Sequence, residues 1–444
     1  MQNLWQNLRY AWRTSLKNPG FTTIAVLTLA LGIGANTAIF SVVQAVLLRP
    51  LPLHEPERLV TFWGSAPEKG LLEVDFTQAL FAFCREHAQM FEGMAAYDTG
   101  SATLTGSGEP ERLNTANVTF DYFQVLGKEP FLGRSFLPLE DTPNNNKVAI
   151  LSYEVWQRRF IGDRGILGKS IQLNNEPFTV VGIMPPEFDF PHQAERASFP
   201  KLDLWLPLGL DPQNRNYYNY SVTGRLKPRV TLPEAQGEIV KLADAFFGKS
   251  GSKIVMMPLI ERIVGRVQNS LLMLAGAVGL VLLIACANIT NLLLVKAGSR
   301  RRELAIRCCL GASAWRIIFQ LLVESLLLAL MGAGGGLLLA AWGIDGIKRF
   351  GAAEIPRLEQ ASLNPRVLLF TLFAALLTGL LCGLAPAFGA ARVDLQDALK
   401  ETARSTTSAS RRLNNGFVIV QIALSLVLLI GAGLLLKSFR NLLA

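Results

Sequence analysis

The sequence has little charge and few of the residues that carry out chemistry. Only 17% of its 444 residues are charged, against roughly 25% in soluble domains, whereas 50% are hydrophobic. The chain has three histidines, His54, His87 and His192, and no His-Glu-x-x-His, Cys-x-x-Cys or Gly-x-Ser-x-Gly motif. These absences exclude the common zinc, dithiol and serine-hydrolase sites, so we predict that the chain is not an enzyme.

A nucleotide-binding loop is also absent. The nearest candidate, DRGILGKS at 163–170, has Asp163 where a P-loop needs glycine for its backbone N–H groups to wrap a phosphate. A strand pattern rather than a helix follows it. We therefore expect no cofactor in this chain.

Long apolar runs are abundant. A helix needs about 20 residues to cross a hydrocarbon core ~30 Å thick. Five runs meet this length, and Glu324 is the one charged residue among them. The predicted spans are 21–48, 267–295, 317–344, 367–391 and 417–436.

The segment 49–266 has no run of spanning length. Acidic residues slightly outnumber basic ones there, so the excess positive charge belongs to the membrane half and does not indicate nucleic-acid binding. Cys84 is its single cysteine, which excludes an internal disulfide. The predicted fold class is a polytopic α-helical membrane protein with a large mixed α+β extracytoplasmic domain, held by its own core.

Basic residues in short loops assign the sides of the membrane. They cluster before the first span, in 296–316 and in the linker 404–416, which places these segments in the cytoplasm. The predicted protein crosses the membrane several times, with its N-terminus cytoplasmic and 49–266 extracytoplasmic. Residues 267–403 contain the next three predicted spans.

The first 20 residues show a separate helical pattern. Arg9, Arg13 and Lys17 face away from an apolar stripe, and Asn18-Pro19-Gly20 ends the helix. We predict a helix lying in the cytoplasmic interface of the membrane, the alternative being a helix packed on a soluble partner. The stripe consists of Leu4, Trp5, Leu8, Trp12 and Leu16.

Local motifs predict several elements of the extracytoplasmic domain. Asp75 with Gln78 is expected to cap one helix, with Phe76, Leu80, Phe83 and Phe91 as its apolar face, and Thr231 with Glu234 to form the capping box of a second. KSIQLNNEPFTVVGIMP predicts a β-hairpin that turns at the two adjacent asparagines, 174 and 175. Segments DLWLPLGL and YYNYSVTGRL predict further strands.

Three consecutive arginines stand between the second and third spans. A short amphipathic helix is predicted here, capped by Ser299 and ended by Gly311. On the residues alone, the arginines could equally serve only to fix topology and contact lipid headgroups.

Several segments, in order along the chain, carry a family resemblance. The sequence resembles the FtsX-like, MacB-like permeases of ABC transporters, and more narrowly the long duplicated permeases of acidobacteria. The likeness runs from about residue 1 to 436. The segments are NPGFTTIAVLTLALGIGANTAIFSVVQAVLLRPLP, VAILSYEVWQRRFIGDRGILGKSIQLNNEPFTVVGIMP, GRLKPRVTLPEAQ and SRRRELAIRCCLGASAWRIIFQLLVESLLLAL.

The resemblance implies a protein of the bacterial inner membrane, with residues 267–403 and their three spans as its permease domain. It also implies a mechanism. Residues 299–314 would be a coupling helix docked on a dimer of separate ATPase subunits, which bind ATP and Mg. Closure of those subunits would move the extracytoplasmic domain, by mechanical transmission rather than through a pore. Cys308 and Cys309 depart from the family, where a small residue is usual. The implied contact residues are Ser299, Arg300, Arg301, Arg302, Glu303, Leu304, Ile306, Arg307, Leu310, Gly311, Ala312 and Ser313.

Three sets of polar or small residues lie inside the predicted spans. Glu324 is a functional carboxylate or a partner of Arg316 or of the arginines at 300–307. Asn36, Asn288 and Asn291 are predicted to form interhelical hydrogen bonds. Two glycine pairs have the spacing that lets membrane helices approach closely: Gly332 with Gly336, and Gly379 with Gly383. We predict a self-association seam there, the alternative being glycine-rich spans without dimerisation.

The resemblance implies partners beyond the ATPase, namely membrane lipid, a second permease copy or second half, and in some members a periplasmic adaptor. NNGFVIVQIALSLVLL, in the fifth predicted span, is similar in position and character to the first span, so 417–436 is predicted to open a second repeat. The expected cargo is a drug, a peptide or a lipoprotein. The alternative function is a membrane-anchored extracytoplasmic binding or signalling protein.

Overall fold

The computed structural model describes residues 2–66, 71–106, 109–186, 188, 201–216, 219–248, 253–299, 314–351, 355, 357–391, 416, 419–431 and 433. The chain divides into two compact units. We call 1–48, 267–352 and 357–444 the helical unit, and 49–266 with 353–356 the sheet unit.

The helices follow in chain order. They are α1 Gln2–Lys17, α2 Pro19–Val43, α3 Gln78–His87, α4 Tyr122–Leu126, α5 Tyr153–Phe160, α6 Leu232–Phe247, α7 Leu259–Ser299, α8 Ala314–Gly351, α9 Pro365–Ala391 and α10 Ile419–Gly431. A π-helical turn, Gln44–Leu48, extends α2.

The strands alternate with the shorter helices. They are β1 Leu59–Ala66, β2 Leu71–Val74, β3 Phe91–Thr105, β4 Glu111–Val118, β5 Leu132–Gly133, β6 Val148–Leu151, β7 Ser170–Leu173, β8 Glu176–Ile183, β9 Leu204–Pro207, β10 Ser221–Leu226 and β11 Lys253–Pro258.

Four described helices are long and apolar enough to cross a membrane. They provide the segments Pro19–Leu48, Val267–Gly298, Trp315–Arg349 and Pro365–Leu384. The fifth predicted span, 417–436, overlaps α10, which has fewer described residues than a span needs, and most of its other residues lie outside the described part. That span stays a prediction, as does the linker 404–416, of which the structure describes residue 416 alone.

The four spans meet in a core of small and branched residues. Small residues dominate because helices in a membrane associate by close packing rather than by the hydrophobic effect. The core comprises Ala25, Leu29 and Ile33 of α2, Cys286, Ile289 and Leu293 of α7, Leu328, Ala329 and Ala333 of α8, and Ala375 and Cys382 of α9.

The sheet unit is built on one mixed sheet. Its strand order is β11-β1-β10-β3-β4-β9-β6-β8-β5, with β2 beside β1 and β7 beside β3 and β8. Most neighbours are antiparallel, whereas β4 with β9 and β6 with β8 are parallel. The mixed α and β character predicted from the sequence is confirmed.

Two hydrophobic cores form along this sheet. One lies where α3 and α6 cover β1, β3, β10 and β11, and includes Phe62, Phe81 and Ile239. The other lies where α5 covers β4, β6, β7, β8 and β9, and includes Leu113, Trp156 and Val180. The alternating strand pattern and the amphipathic helices account for both, because each presents one apolar face.

The local motifs have mixed outcomes. The predicted hairpin is confirmed: Asn174 and Asn175 have φ of 52° and 66° between β7 and β8. The capping box of α6 is also confirmed, since the Thr231 N–H donates to Glu234 Oε2 over 2.9 Å.

The predicted cap of α3 is wrong. Thr77 caps this helix, its hydroxyl accepting the Leu80 N–H over 3.1 Å. Gln78 lies inside the helix and bonds the Tyr220 hydroxyl and the Asp211 N–H. The threonine hydroxyl, one residue before the helix, has the geometry for the exposed N–H groups of the first turn. Two residues of the predicted apolar face also lie outside α3: Phe76 bridges to Tyr220, and Phe91 begins β3.

Candidate functional site

The segment predicted to couple with an ATPase is flanked by two spans. Helix α7 ends at Ser299 and α8 begins at Ala314. Residues 300–313 lie outside the described residues, so the coupling assignment of 299–313 stays a prediction. The candidate site is therefore the set of described contacts that hold these two helix ends.

A buried ion pair joins the two flanking spans. Lys296 Nζ of α7 lies 3.8 Å from Glu324 Oε2 of α8, and their side chains are 15% and 6% exposed. This distance is an ionic contact rather than a direct hydrogen bond. Breaking such a buried pair by removing one partner typically costs 3–5 kcal/mol, because the other charge stays buried.

This pairing adds a cation that was not among the partners expected for Glu324. Of the candidates weighed from the sequence, Arg316 lies eight residues earlier on the same helix, which is about 12 Å along the axis. The arginines at 300–307 lie outside the described part. The observed cation, Lys296, comes from the preceding span.

The ion pair also reaches the first span. Lys296 Nζ lies 4.5 Å from the centroid of the Phe21 ring in α2. The face of an aromatic ring attracts a cation, and the attraction grows when water is excluded. One ammonium group therefore contacts three helices: its own, α8 through Glu324 and α2 through Phe21.

The asparagines inside the spans differ in what they do. Asn36 Nδ2 donates to Val278 O of α7 over 2.8 Å and to Gly32 O over 2.9 Å, so it links α2 to α7 as predicted. Asn291 Oδ1 is buried without a hydrogen-bond partner in the described part. Asn288 is half-buried, and among the described residues its side chain has no interhelical hydrogen bond.

The four predicted packing glycines are used within one chain. A Cβ on Gly332 would lie 2.6 Å from Leu29 Cβ of α2, and one on Gly336 would lie 3.0 Å from Gly34 N. On α9, a Cβ on Gly379 would lie 3.0 Å from Leu326 Cα, and one on Gly383 would lie 2.2 Å from Ser325 Oγ. In the described part, α2 and α8 of the same chain cover these glycines, and a seam between copies stays a prediction.

Two interhelical contacts were missed by the sequence analysis. Cys382 Sγ of α9 lies 3.5 Å from Cys286 O of α7, and the two thiols are within hydrogen-bonding contact. Thr37 Oγ1 of α2 lies 3.0 Å from Thr371 Oγ1 of α9. The sequence places a polar residue at a core position of each of these spans. It does not predict which residue of another span that side chain contacts.

The sheet unit provides no chemistry of its own among the described residues. No group of three or more metal-binding side chains occurs there. Burial, with a smaller contribution from Glu238, raises the pKa of Cys84 to about 12, which keeps this thiol protonated and unreactive. At 163–170, Asp163 caps a 3₁₀ turn and Lys169 Nζ lies 3.6 Å from its carboxylate, before β7 begins. This segment leads into a strand rather than into a helix.

Two family models match the chain. The MacB-like periplasmic core domain matches residues 22–242 and the FtsX-like permease C-terminal domain matches residues 275–395. Together they span more than three-quarters of the chain.

Similar proteins match large parts of the chain. The macrolide export ATP-binding/permease protein MacB of Rhodospirillum rubrum is 30% identical over 281 residues, covering 63% of this chain and 42% of that protein. MacB of Azoarcus sp. is 27% identical over 400 residues, covering 89% of this chain and 59% of that protein. The chain thus spans about half the length of these relatives.

A solved structure aligns with part of the chain. The periplasmic region of MacB from Actinobacillus actinomycetemcomitans covers 48% of this chain and 93% of its own, with a TM-score of 0.36 and 17% identity. The two domain matches, the four apolar helices and the mixed α/β unit agree with one another. The chain belongs to the FtsX-like, MacB-like permeases of ABC transporters, membrane proteins that carry an extracytoplasmic domain.

Proposed function

We propose that this permease couples ATP hydrolysis in a separate ATPase dimer to motion of its extracytoplasmic domain. The ATPase subunits bind ATP and Mg, and this chain provides no nucleotide site. The relatives are named as combined ATP-binding/permease proteins, so a partner ATPase is the corresponding arrangement for a chain that matches their permease part.

The observation that carries this proposal is the Lys296–Glu324 ion pair. It holds together the two spans that flank 299–313, so a push on that segment moves α7 and α8 as one body. The contact with Phe21 adds α2 to the same body. If α7 and α8 moved independently, a push on that segment would change their positions relative to each other and would not be transmitted along the spans.

The arrangement in the cell follows from the same proposal. The protein lies in the bacterial inner membrane with 299–313 and the N-terminus in the cytoplasm, and acts as a pair of permeases or permease halves. A periplasmic adaptor completes the assembly where the cargo must cross an outer membrane. The activity is the efflux or export of a drug, a peptide or a lipoprotein. A merely anchored binding protein would need one span, whereas the described residues contain four helices of spanning length.

Copurification tests the coupling assignment. The variant Arg300→Ala, Arg301→Ala, Arg302→Ala is expected to lose the ATPase subunit that copurifies with the wild-type chain from native membranes. The matched control Arg164→Ala, Lys227→Ala, Lys241→Ala removes three exposed charges from the sheet unit and is expected to keep it. Retention of the ATPase by the first variant would contradict the assignment.

A further inference from the structure

The first helix, α1, presents two unlike faces. Ala11, Thr14 and Ser15 are buried, and these small residues pack α1 onto the helical unit. Trp5 and Trp12 are 70% and 49% exposed. The largest apolar side chains of this helix therefore point away from the unit to which it belongs.

The basic residues share the exposed side of α1. Trp5, Trp12 and Leu16, the last 64% exposed, form a ridge along the helix. At 100° per residue, Arg9 lies about 20° from Leu16. Arg9 therefore borders the ridge, whereas Arg13 and Lys17 lie farther round the helix, about 60° and 100° from Leu16.

No negative charge compensates these cations within the described part. Arg9, Arg13 and Lys17 are exposed at successive four-residue steps, and α1 contains no acidic residue. None of the three forms an ion pair or a hydrogen bond with another described side chain. The helix thus exposes an aromatic ridge flanked by a row of unneutralised positive charges.

The position of α1 indicates what covers this face. Asn18 alone separates Lys17 from Pro19, where the first span begins. The end of the ridge nearest the span, at Leu16, is therefore expected near the depth of the lipid headgroups. Tryptophan favours this zone, and rows of Lys and Arg beside a span attract anionic lipids.

We infer that α1 is a binding site for anionic phospholipid headgroups. Arg9 and Arg13, one helical turn apart, hold the lipid phosphate, and Lys17 adds to the field at the start of the span. Trp5, Trp12 and Leu16 enter the boundary between headgroups and acyl chains. The inference is independent of the ATPase, so its failure would leave the proposed coupling function intact.

Quenching by brominated lipids tests this site on the full chain. The protein is reconstituted in phosphatidylcholine nanodiscs that contain the same small fraction of either brominated phosphatidylglycerol or brominated phosphatidylcholine. The signal of Trp5 and Trp12 is the difference between wild type and Trp5→Phe, Trp12→Phe. We expect roughly fivefold stronger quenching of this signal by the anionic lipid, about the factor that one basic residue contributes at an anionic surface.

Charge variants separate lipid binding from a general effect of charge. Arg9→Gln, Arg13→Gln, Lys17→Gln is expected to abolish the preference for the anionic lipid, and Arg9→Lys, Arg13→Lys to keep most of it. The control Arg164→Gln, Lys227→Gln, Lys241→Gln removes equal charge from the sheet unit and is expected to behave as wild type.

Two results would overturn the inference. One is equal quenching by both lipids in the wild type, which is the outcome if α1 docks on a protein partner instead of the bilayer. The other is an unchanged preference after the three basic side chains of α1 are removed. Because Arg9→Lys, Arg13→Lys keeps both charges, a misfolded glutamine variant would not be mistaken for a positive result.

Discussion

At the scale of single residues, the ion pair between the second and third spans is the feature that matters most for coupling. The sequence marks Glu324 because a carboxylate inside a span is rare. It does not reveal Lys296 as the partner, because that choice depends on how α7 and α8 pack. The sequence was therefore enough to single out Glu324, but it was not enough to predict the residue with which Glu324 pairs.

A charge exchange tests whether the pair acts as a unit. Lys296→Met and Glu324→Gln, made singly, are each expected to lower by roughly tenfold or more the ATP hydrolysis stimulated by the permease, since each removes one charge of a buried ion pair. Lys296→Glu with Glu324→Lys is expected to restore part of it. The measurement is the ATPase rate of the reconstituted complex, with and without permease.

The ATPase rate without permease is the internal control for these variants, and it is expected to stay the same throughout. If the loss of stimulated ATPase activity in the exchanged double variant equals the sum of the losses in the two single variants, the two side chains act separately. The ion pair would then not transmit the push.

Asp141 connects three segments of the sheet unit. Its carboxylate accepts the N–H groups of Phe120 over 3.0 Å, Gly209 over 2.9 Å and Leu210 over 3.4 Å, and it is 4% exposed. Burial raises its pKa to about 6 from the ordinary 3.8, although these hydrogen bonds oppose the rise. The charged form therefore costs free energy in the folded state.

The sign of the resulting pH dependence follows from linkage. The folded pKa lies above the unfolded one, so this group lowers the free energy of unfolding as pH rises from about 4 to about 6, by about 3 kcal/mol over that window. We expect hydrogen-exchange protection in 111–126 and 204–210, corrected for the intrinsic rate, to fall over this range in the full chain.

The variant Asp141→Asn removes the titrating group and should flatten that fall. Asp244→Asn, which removes an exposed carboxylate from α6, should leave it unchanged. An equal slope in Asp141→Asn and wild type would assign the pH dependence to other carboxylates.

At the scale of elements, the spans could be predicted from the length and hydrophobicity of their runs. The hairpin at Asn174 and Asn175 was predictable because its turn demands residues that tolerate positive φ. The contacts between spans were not. The spacing of Gly332 and Gly336 indicates that something packs closely there, but the same spacing suits a partner in the chain or in another copy.

Two nearby glycines of α8 provide a matched test of helix packing. Gly332→Ala is expected to destabilise the protein by about 1–3 kcal/mol, since its Cβ would overlap Leu29 Cβ. Gly334→Ala, two residues on, has nothing within 4 Å and should be neutral or stabilising by up to about 1 kcal/mol. Thermal unfolding in mild detergent measures both, and equal effects would contradict the observed packing of α8 on α2.

The thiols of Cys286 and Cys382 provide a direct measure of how α7 and α9 pack. Because the two side chains contact each other, a membrane-permeant oxidant is expected to join them in a disulfide. Mass spectrometry of the digested protein should find the cross-linked peptides in wild type. Cys286→Ser and Cys382→Ser should each lack them, with Cys84 serving as a buried thiol that stays unmodified. Absence of the cross-link in the wild type would contradict the observed contact.

At the scale of the whole molecule, composition and the order of long apolar runs were enough to predict the fold class. They place the apolar helices on either side of a long segment that must build its own core. The strand order within that core was beyond the sequence, because β11 pairs with β1 across nearly 200 residues of chain. Such pairings depend on the complete tertiary structure, not on any local pattern.

That long-range pairing leads to a prediction about independent folding. The fragment 49–266 contains every strand and both cores of the sheet unit, so we expect it to unfold cooperatively in solution without a membrane. The shorter fragment 49–252 lacks β11, which removes Ile254 and Met256 from the core and exposes the edge of β1. It is expected to lose several kcal/mol, since each truncated core side chain costs about 2–5 kcal/mol, and to aggregate through that edge. Urea unfolding followed by tryptophan fluorescence compares the two, and equal stability would mean that the sheet unit does not depend on its last strand.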